Sequence, residues 1–157
     1  MKRFFQLALV LVFGSFIFSA CKNEGKTPVS QAYYFDAQDT TEVLSLCDEY
    51  MTHVKNQDYA GAFGMLSKSN GTGGSIDYAE HELDALLSEY KHFPMLDYER
   101  VDYCFAGTDS VAVTYKIKFM EKPADQPNFP DSYRVTFSPF RVNGIWHLDV
   151  LNSHVID

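Results

Sequence analysis

The feature that most constrains the fold is a change in the spacing of apolar residues at Pro94. Before Pro94, apolar side chains recur every three or four residues, which is the spacing of helices with one face on a core. After Pro94 they alternate with polar residues, which is typical of strands with one buried face. Helices followed by hairpin-connected strands favour an α+β fold with an antiparallel sheet. A chain of 157 residues has room for one such domain.

Three polar sequences that begin with Asp predict the starts of three N-terminal helices, because Asp accepts hydrogen bonds from the free N–H groups of a first turn. They are Asp39-Thr40-Thr41-Glu42, Asp58 and Asp77-x-x-Glu80. Between the second and third helices, the segment Ser67–Ser75 predicts a Gly-rich loop. It lacks the Gly-Lys-Ser/Thr ending of a phosphate-binding loop.

At least four antiparallel strands are predicted after the helices. They lie near Asp97 to Phe105, Ser110 to Glu121, Ser132 to Val142 and Ile145 to Ile156. The Asn143-Gly144 pair is typical of a hairpin turn. Because strands of this length exceed the usual five or six residues, we expect a strongly curved sheet with a bulge at Ser138-Pro139. Helices across its concave face would form a cone able to hold a cavity.

Three features in this order resemble the nuclear transport factor 2-like superfamily. They are the long first helix, the Asn56-Gln57-Asp58-Tyr59-Ala60 start of the second, and a terminal hairpin ending Asn143-Gly144-Ile145-Trp146-His147-Leu148. The resemblance covers roughly Asp39 to Asp157 and implies a cystatin-like α+β cone. The superfamily includes ketosteroid isomerases and many small bacterial lipoproteins, and its members often dimerise through the outer sheet face. Members often carry a hairpin between the second and third helices, which supplies the base in the isomerases. The predicted Gly-rich loop at this place argues against an isomerase-like mechanism.

The N-terminus has the pattern of an export signal. A short cationic start is followed by an apolar run from Leu7 to Phe18. As a helix, this run would reach about 18 Å, which is short of the roughly 30 Å needed to span a bilayer. Phe18-Ser19-Ala20-Cys21 resembles the processing site of a bacterial lipoprotein signal. The resemblance implies cleavage before Cys21 and lipidation of its thiol, while an ordinary cleaved signal is the alternative.

This signal divides the chain into a signal peptide (1–20), a tether (21–38) and a domain (39–157). Residue 22 is Lys, whereas by resemblance an Asp there would favour retention at the inner membrane, so we expect the outer membrane of a bacterial cell envelope. Without Lys2 and Arg3, 11 basic residues face 21 acidic ones, a net charge of −10. Nucleic acid is therefore not an expected partner, because phosphate backbones are held by cationic surfaces.

The predicted inner face of the sheet carries apolar and aromatic side chains and no acid or imidazole until the chain end. We therefore expect a non-catalytic domain that binds an apolar or aromatic small molecule in its cone or docks a partner, with no cofactor. The alternative is a small hydrolase, isomerase or dehydratase that uses His154 at the pocket mouth and tyrosine phenols for acid-base chemistry. The candidate ligand-binding residues are Tyr50, Tyr115, Tyr133, Trp146, Asn152 and His154.

Three other groupings carry potential chemistry. They are Asp77, His81 and Asp84 on one helix face, His147 with Asp149 on one strand, and the cysteines Cys47 and Cys104. The first is more typical of a solvated acidic stripe than of a metal site, and no metal is predicted. The second is more typical of chance neighbours on a wet face than of a catalytic dyad. The two cysteines either form a disulfide in the oxidising envelope or remain free.

Overall fold

The computed structural model describes residues 35–106 and 110–156, with side chains up to residue 151. Three helices precede the main sheet: α1 (Ala37–Lys55), α2 (Tyr59–Gly64) and α3 (Glu80–His92). The predicted signal peptide, Cys21 and the tether up to residue 34 lie outside the described residues.

Helix α1 begins three residues earlier than the sequence indicated. Asp36 is its N-cap: the Asp36 carboxylate accepts a hydrogen bond from the Asp39 N–H at 2.9 Å, and the Asp39 carboxylate accepts one from the Asp36 N–H at 3.1 Å. This reciprocal pair is a capping box, and it replaces the one predicted at Asp39 to Glu42. The buried stripe of the helix runs from Val43 to Val54.

The prediction of a plain loop between α2 and α3 is wrong. Residues there form a short antiparallel hairpin of β1 (Lys68–Ser69) and β2 (Ser75–Ile76). Its turn is closed by Asn70, whose side-chain carbonyl accepts hydrogen bonds from the Thr72 and Gly74 N–H groups at 2.9 and 2.8 Å. A short hairpin therefore lies where the sequence predicted a Gly-rich loop.

The main sheet has four strands in the order β3-β4-β5-β8, and every neighbouring pair is antiparallel. Two further strands, β6 and β7, form a separate hairpin. The strands are β3 (Asp97–Ala106), β4 (Ser110–Lys118), β5 (Ser132–Phe137), β6 (Phe140–Val142), β7 (Ile145–His147) and β8 (Val150–Ile156). The α+β class and the antiparallel sheet are confirmed.

The sheet is not strongly curled, so that part of the prediction is wrong. Each of the last two predicted strands is divided in two, at Ser138-Pro139 and at Leu148-Asp149. Pro139 has no N–H to continue a ladder of hydrogen bonds, and the chain bends there instead of running on. Because the strands of the sheet are shorter than expected, less curvature is needed to accommodate them.

The two faces of the sheet differ in burial, as the alternation of apolar and polar residues in β4 predicts. Val111, Val113, Tyr115 and Ile117 are buried against the helices and define the inner face. The residues between them define the outer face, which is continued on β3 by their cross-strand partners Asp97, Glu99, Asp102 and Cys104. The core therefore lies between the inner face and the helices α1 and α3, whose buried residues include Tyr50 and Tyr90.

Candidate functional site

The space between sheet and helices is filled by aromatic side chains. The Phe137 ring lies between Tyr50 and Tyr115, with ring centroids 5.1 and 5.8 Å away and steep interplanar angles of 72° and 79°. Such edge-to-face contacts are the preferred packing of aromatic rings. All three residues have no exposed surface. This part of the predicted cone is thus a packed core.

The phenol groups of Tyr50, Tyr90 and Tyr115 form hydrogen bonds within the protein. The Tyr50 and Tyr90 hydroxyls are hydrogen-bonded to each other at 3.0 Å, and the Tyr115 hydroxyl donates to the Asp48 carboxylate at 2.5 Å. Burial is the main cause that raises the pKa of Tyr50, Tyr115 and also Tyr133, which is 4% exposed. These phenols therefore remain protonated at neutral pH.

Of the other predicted ligand-binding residues, Trp146 is partly buried and packs against the core. Trp146 stacks on Phe35, with centroids 5.9 Å apart, and the Arg141 guanidinium lies 5.0 Å above its ring. Its indole N–H has no hydrogen-bond partner among the described residues. The side chains of Asn152 and His154 are not among those described. The role of His154 at a pocket mouth therefore stays a prediction.

Asp39 is the only buried acidic or basic residue in the part of the chain that the structure describes, and it is 2% exposed. It forms an ion pair with Arg141 at 2.9 Å, in addition to its role in the capping box of α1. The Arg141 side chain also donates to the Gly144 carbonyl at 3.1 Å. This pair joins the start of α1 to the β6-β7 hairpin.

A second polar group, which we call the hairpin cluster, lies where the β1-β2 hairpin meets the break between β7 and β8. Its members are Ser67, Lys68, Tyr78, Glu82, His147 and Asp149. Here the Ser67 hydroxyl is 3.0 Å from Nδ1 of His147, and the Tyr78 hydroxyl donates to Asp149 at 2.5 Å. His147 and Asp149 thus each bind a distant residue, and the described contacts do not make them a dyad.

Lys68 and Glu82 complete the hairpin cluster. The Lys68 ammonium contacts both Glu82 carboxylate oxygens at 2.7 Å and lies 5.1 Å from the centre of the Tyr78 ring. These hydrogen bonds from Lys68 are the main cause that lowers the pKa of Glu82. Burial, followed by the bond to Asp149, raises the pKa of Tyr78. The bonds fasten the hairpin and α3 to the sheet, which is sufficient to account for these side chains structurally.

A groove of about 320 Å³ opens on the outer face at one end of the sheet. It is lined by Asp97, Tyr98, Glu99, Lys116, Lys118, Asp131 and Ser132. Several of these charges already have partners, such as Lys55 for Asp97 and Glu121 for Lys118. In contrast, Glu99 and Lys116, which are cross-strand neighbours, form no ion pair among the described residues. The groove therefore offers one carboxylate and one ammonium group side by side.

The remaining candidates behave as ordinary structural residues. Cys47 is buried in the core and Cys104 is exposed on the outer face, and both thiols are free. In the described ranges, no three His, Cys, Asp or Glu side chains are grouped so that they could hold a metal ion. No helix in these ranges has the length and apolar character needed to cross a bilayer.

No known family model and no curated protein matches the sequence. Among solved structures, the chain is similar to a protein of unknown function with a cystatin-like fold from Nostoc punctiforme, at 15% identity and a TM-score of 0.51, over 76% of this chain and 96% of that one. It is also similar to AclR from Streptomyces galilaeus, for which a hydroxylase activity has been proposed, at 18% identity and a TM-score of 0.47, over 74% and 90% of the two chains. The first likeness confirms the cystatin-like fold, and at this identity it shows the fold alone.

Proposed function

We propose that this chain is a lipid-anchored protein of the bacterial cell envelope whose cystatin-like domain binds a molecule without catalysis. The anchor is inferred from the Ser19-Ala20-Cys21 sequence after a short apolar run, and the outer membrane from Lys22. The cystatin-like fold supports membership of the nuclear transport factor 2-like superfamily, which the order of sequence motifs suggested.

The chemistry of the core is the main support for a non-catalytic function. General acid-base catalysis needs a titratable group within hydrogen-bond reach of a substrate. The one buried charged side chain among the described residues, Asp39, is held by Arg141 and by the capping box. Tyr50 and Tyr90 are bonded to each other, and Tyr115 is bonded to Asp48. These contacts favour binding at the surface over chemistry in the interior.

The outer-face groove is the binding site that the geometry supports best. Glu99 and Lys116 present opposite charges on neighbouring strands of the groove. A small polar molecule that carries both an anionic and a cationic group, such as an amino acid or the end of a peptide, matches this arrangement. The apolar ligand expected from the sequence would need open space within the packed aromatic core. A homodimer through the outer face would cover the groove, so the two roles exclude each other.

Native mass spectrometry of the full chain, purified from its source in detergent, tests the groove. We expect a copurifying small mass on the unaltered chain that is lost in the charge reversal Lys116→Glu. The matched control is Lys91→Glu, which reverses an exposed charge on α3 away from the groove. Retention of the mass in Lys116→Glu, or its loss in both variants, contradicts the groove as the site.

The anchor is tested separately by cell fractionation and by the mass of the mature N-terminus. We expect Cys21→Ala to move the protein from the membrane to the soluble fraction. An unaltered distribution, or an N-terminal peptide without acyl chains, contradicts the lipid anchor.

A further inference from the structure

Strand β3 forms one edge of the main sheet. One edge of β3 pairs with β4 from Asp97 to Ala106, apart from Val101, and its opposite edge has no partner strand in the part of the chain that the structure describes. Free edges of this kind expose unpaired N–H and C=O groups, and proteins usually protect them with charged side chains or bulges. The protection of this edge is uneven.

The first half of β3 is protected. Asp97 forms an ion pair with Lys55 at 2.8 Å, and Arg100 forms one with Asp48 at 3.1 Å. A shift in register between Arg100 and Asp102 then interrupts the pairing with β4, as a bulge does. Both devices discourage a further strand from pairing with this half.

The second half, which we call the edge segment (Asp102–Ala106), lacks such protection. Tyr103 is 51% exposed, and Cys104 and Ala106 are also exposed. After Asp102 the segment carries no charged residue. An exposed apolar strand end of this kind is a ready template for pairing with another chain.

The sequence of the edge segment favours pairing with the edge segment of a second copy of this chain, and it favours one register of that pairing. In an antiparallel pair, opposite residues point to the same face of the sheet. Centring the pair on Cys104 places Tyr103 opposite Phe105 and Asp102 opposite Ala106, so that all five residues pair without opposing charges. Centring it on Asp102 sets two carboxylates against each other, and centring it on Tyr103 leaves three paired residues before the bulge intervenes.

The position of Phe35 is compatible with this pairing. Phe35, the first described residue, packs on Phe105 with ring centroids 5.2 Å apart. The two-fold axis of such a pair runs perpendicular to the sheet, so both copies present the same face on the same side. Phe35 of both copies would then lie beside the interface on that face. This agreement rests on the proposed lipid anchor, because two anchored copies must reach the same membrane surface.

We propose that two copies of this chain pair through their edge segments, antiparallel and centred on Cys104, to form one continuous sheet across the dimer. The outer-face groove stays open in this dimer, because its lining residues are on the first half of β3 and on strands away from the edge. This arrangement differs from a dimer through the outer sheet face.

Thiol cross-linking of the full chain in membranes tests the register. With a short bismaleimide we expect Cys104 of one copy to be linked to Cys104 of the other. In a Cys104→Ser background, differently tagged Asp102→Cys and Ala106→Cys chains are expected to link to each other, whereas Ser88→Cys, exposed on α3, serves as the control for random collision. Tyr103→Glu is expected to weaken the association about tenfold, since it replaces two apolar cross-strand contacts with charges.

Cross-linking of Cys104 no stronger than that of Ser88→Cys overturns the proposal. Strong linking through a cysteine placed at Lys116 overturns it in favour of a dimer through the outer face. The same set made with Cys21→Ala separates the two proposals: fractionation reports the anchor, and the pattern of cross-links reports the edge. The same cross-link pattern in the soluble chain upholds edge pairing even if the anchor fails.

Discussion

Replacing Asp39 with Ala removes the buried carboxylate that joins α1 to the β6-β7 hairpin. The change breaks the 2.9 Å ion pair with Arg141 and one half of the capping box. Breaking a buried ion pair costs about 3 to 5 kcal/mol and losing a cap about 1 kcal/mol. Arg141 is 26% exposed and keeps its contact with Trp146, so it is partly compensated after the change. We therefore expect the free energy of unfolding to fall by about 3 kcal/mol, near the lower end of that range.

Urea denaturation of the purified chain measures this loss, and a double-mutant cycle isolates the pair. Arg141→Ala and the double variant complete the cycle, for which we expect a coupling energy of about 1.5 kcal/mol. Glu42→Ala is the matched control: Glu42 lies 3.8 Å from the same guanidinium but is 42% exposed, so its loss should cost about 0.5 kcal/mol or less. A loss below about 1 kcal/mol for Asp39→Ala, or a coupling energy near zero, would refute the reasoning.

Three further outcomes are expected. Tyr50→Phe and Tyr90→Phe should each lower the free energy of unfolding by about 1 kcal/mol, with the double variant losing less than the sum, because either change leaves one buried hydroxyl without its partner; additive losses in urea denaturation would contradict this. Burial raises the pKa of Cys47 from 9.0 to about 12, so the folded state holds its proton where the unfolded state releases it, and stability should fall as the pH rises from 9 towards 12. Over that window Cys47→Ala should show a slope shallower by about 1.4 kcal/mol per pH unit, whereas equal slopes would argue against a buried thiol. Gly144→Ala should cost about 1 kcal/mol because Gly144 has a φ of 84°, and an unchanged melting temperature would count against strain there.

The sequence records which face of a single element is buried, but it does not record contacts between distant residues. The apolar stripe of α1 and the alternation in β4 could be read from the sequence, because each reflects which face of one element meets the core. The Gly-rich segment at Ser67–Ser75 was misread as a loop, because strands of two residues have no detectable period. Tyr78 was missed for a different reason: its partner Asp149 is 71 residues away.

What the sequence alone determined is the order of the helices and of the longer strands, and the side of each that is buried. Spacing along a chain records the burial of each element, and the Pro94 boundary separates the two periods. Only the tertiary structure decided that Asp39 meets Arg141, that Ser67 meets His147, and that Tyr50 meets Tyr90. Contacts of this kind depend on how elements pack in space, and neighbouring residues in the sequence carry no periodic trace of them.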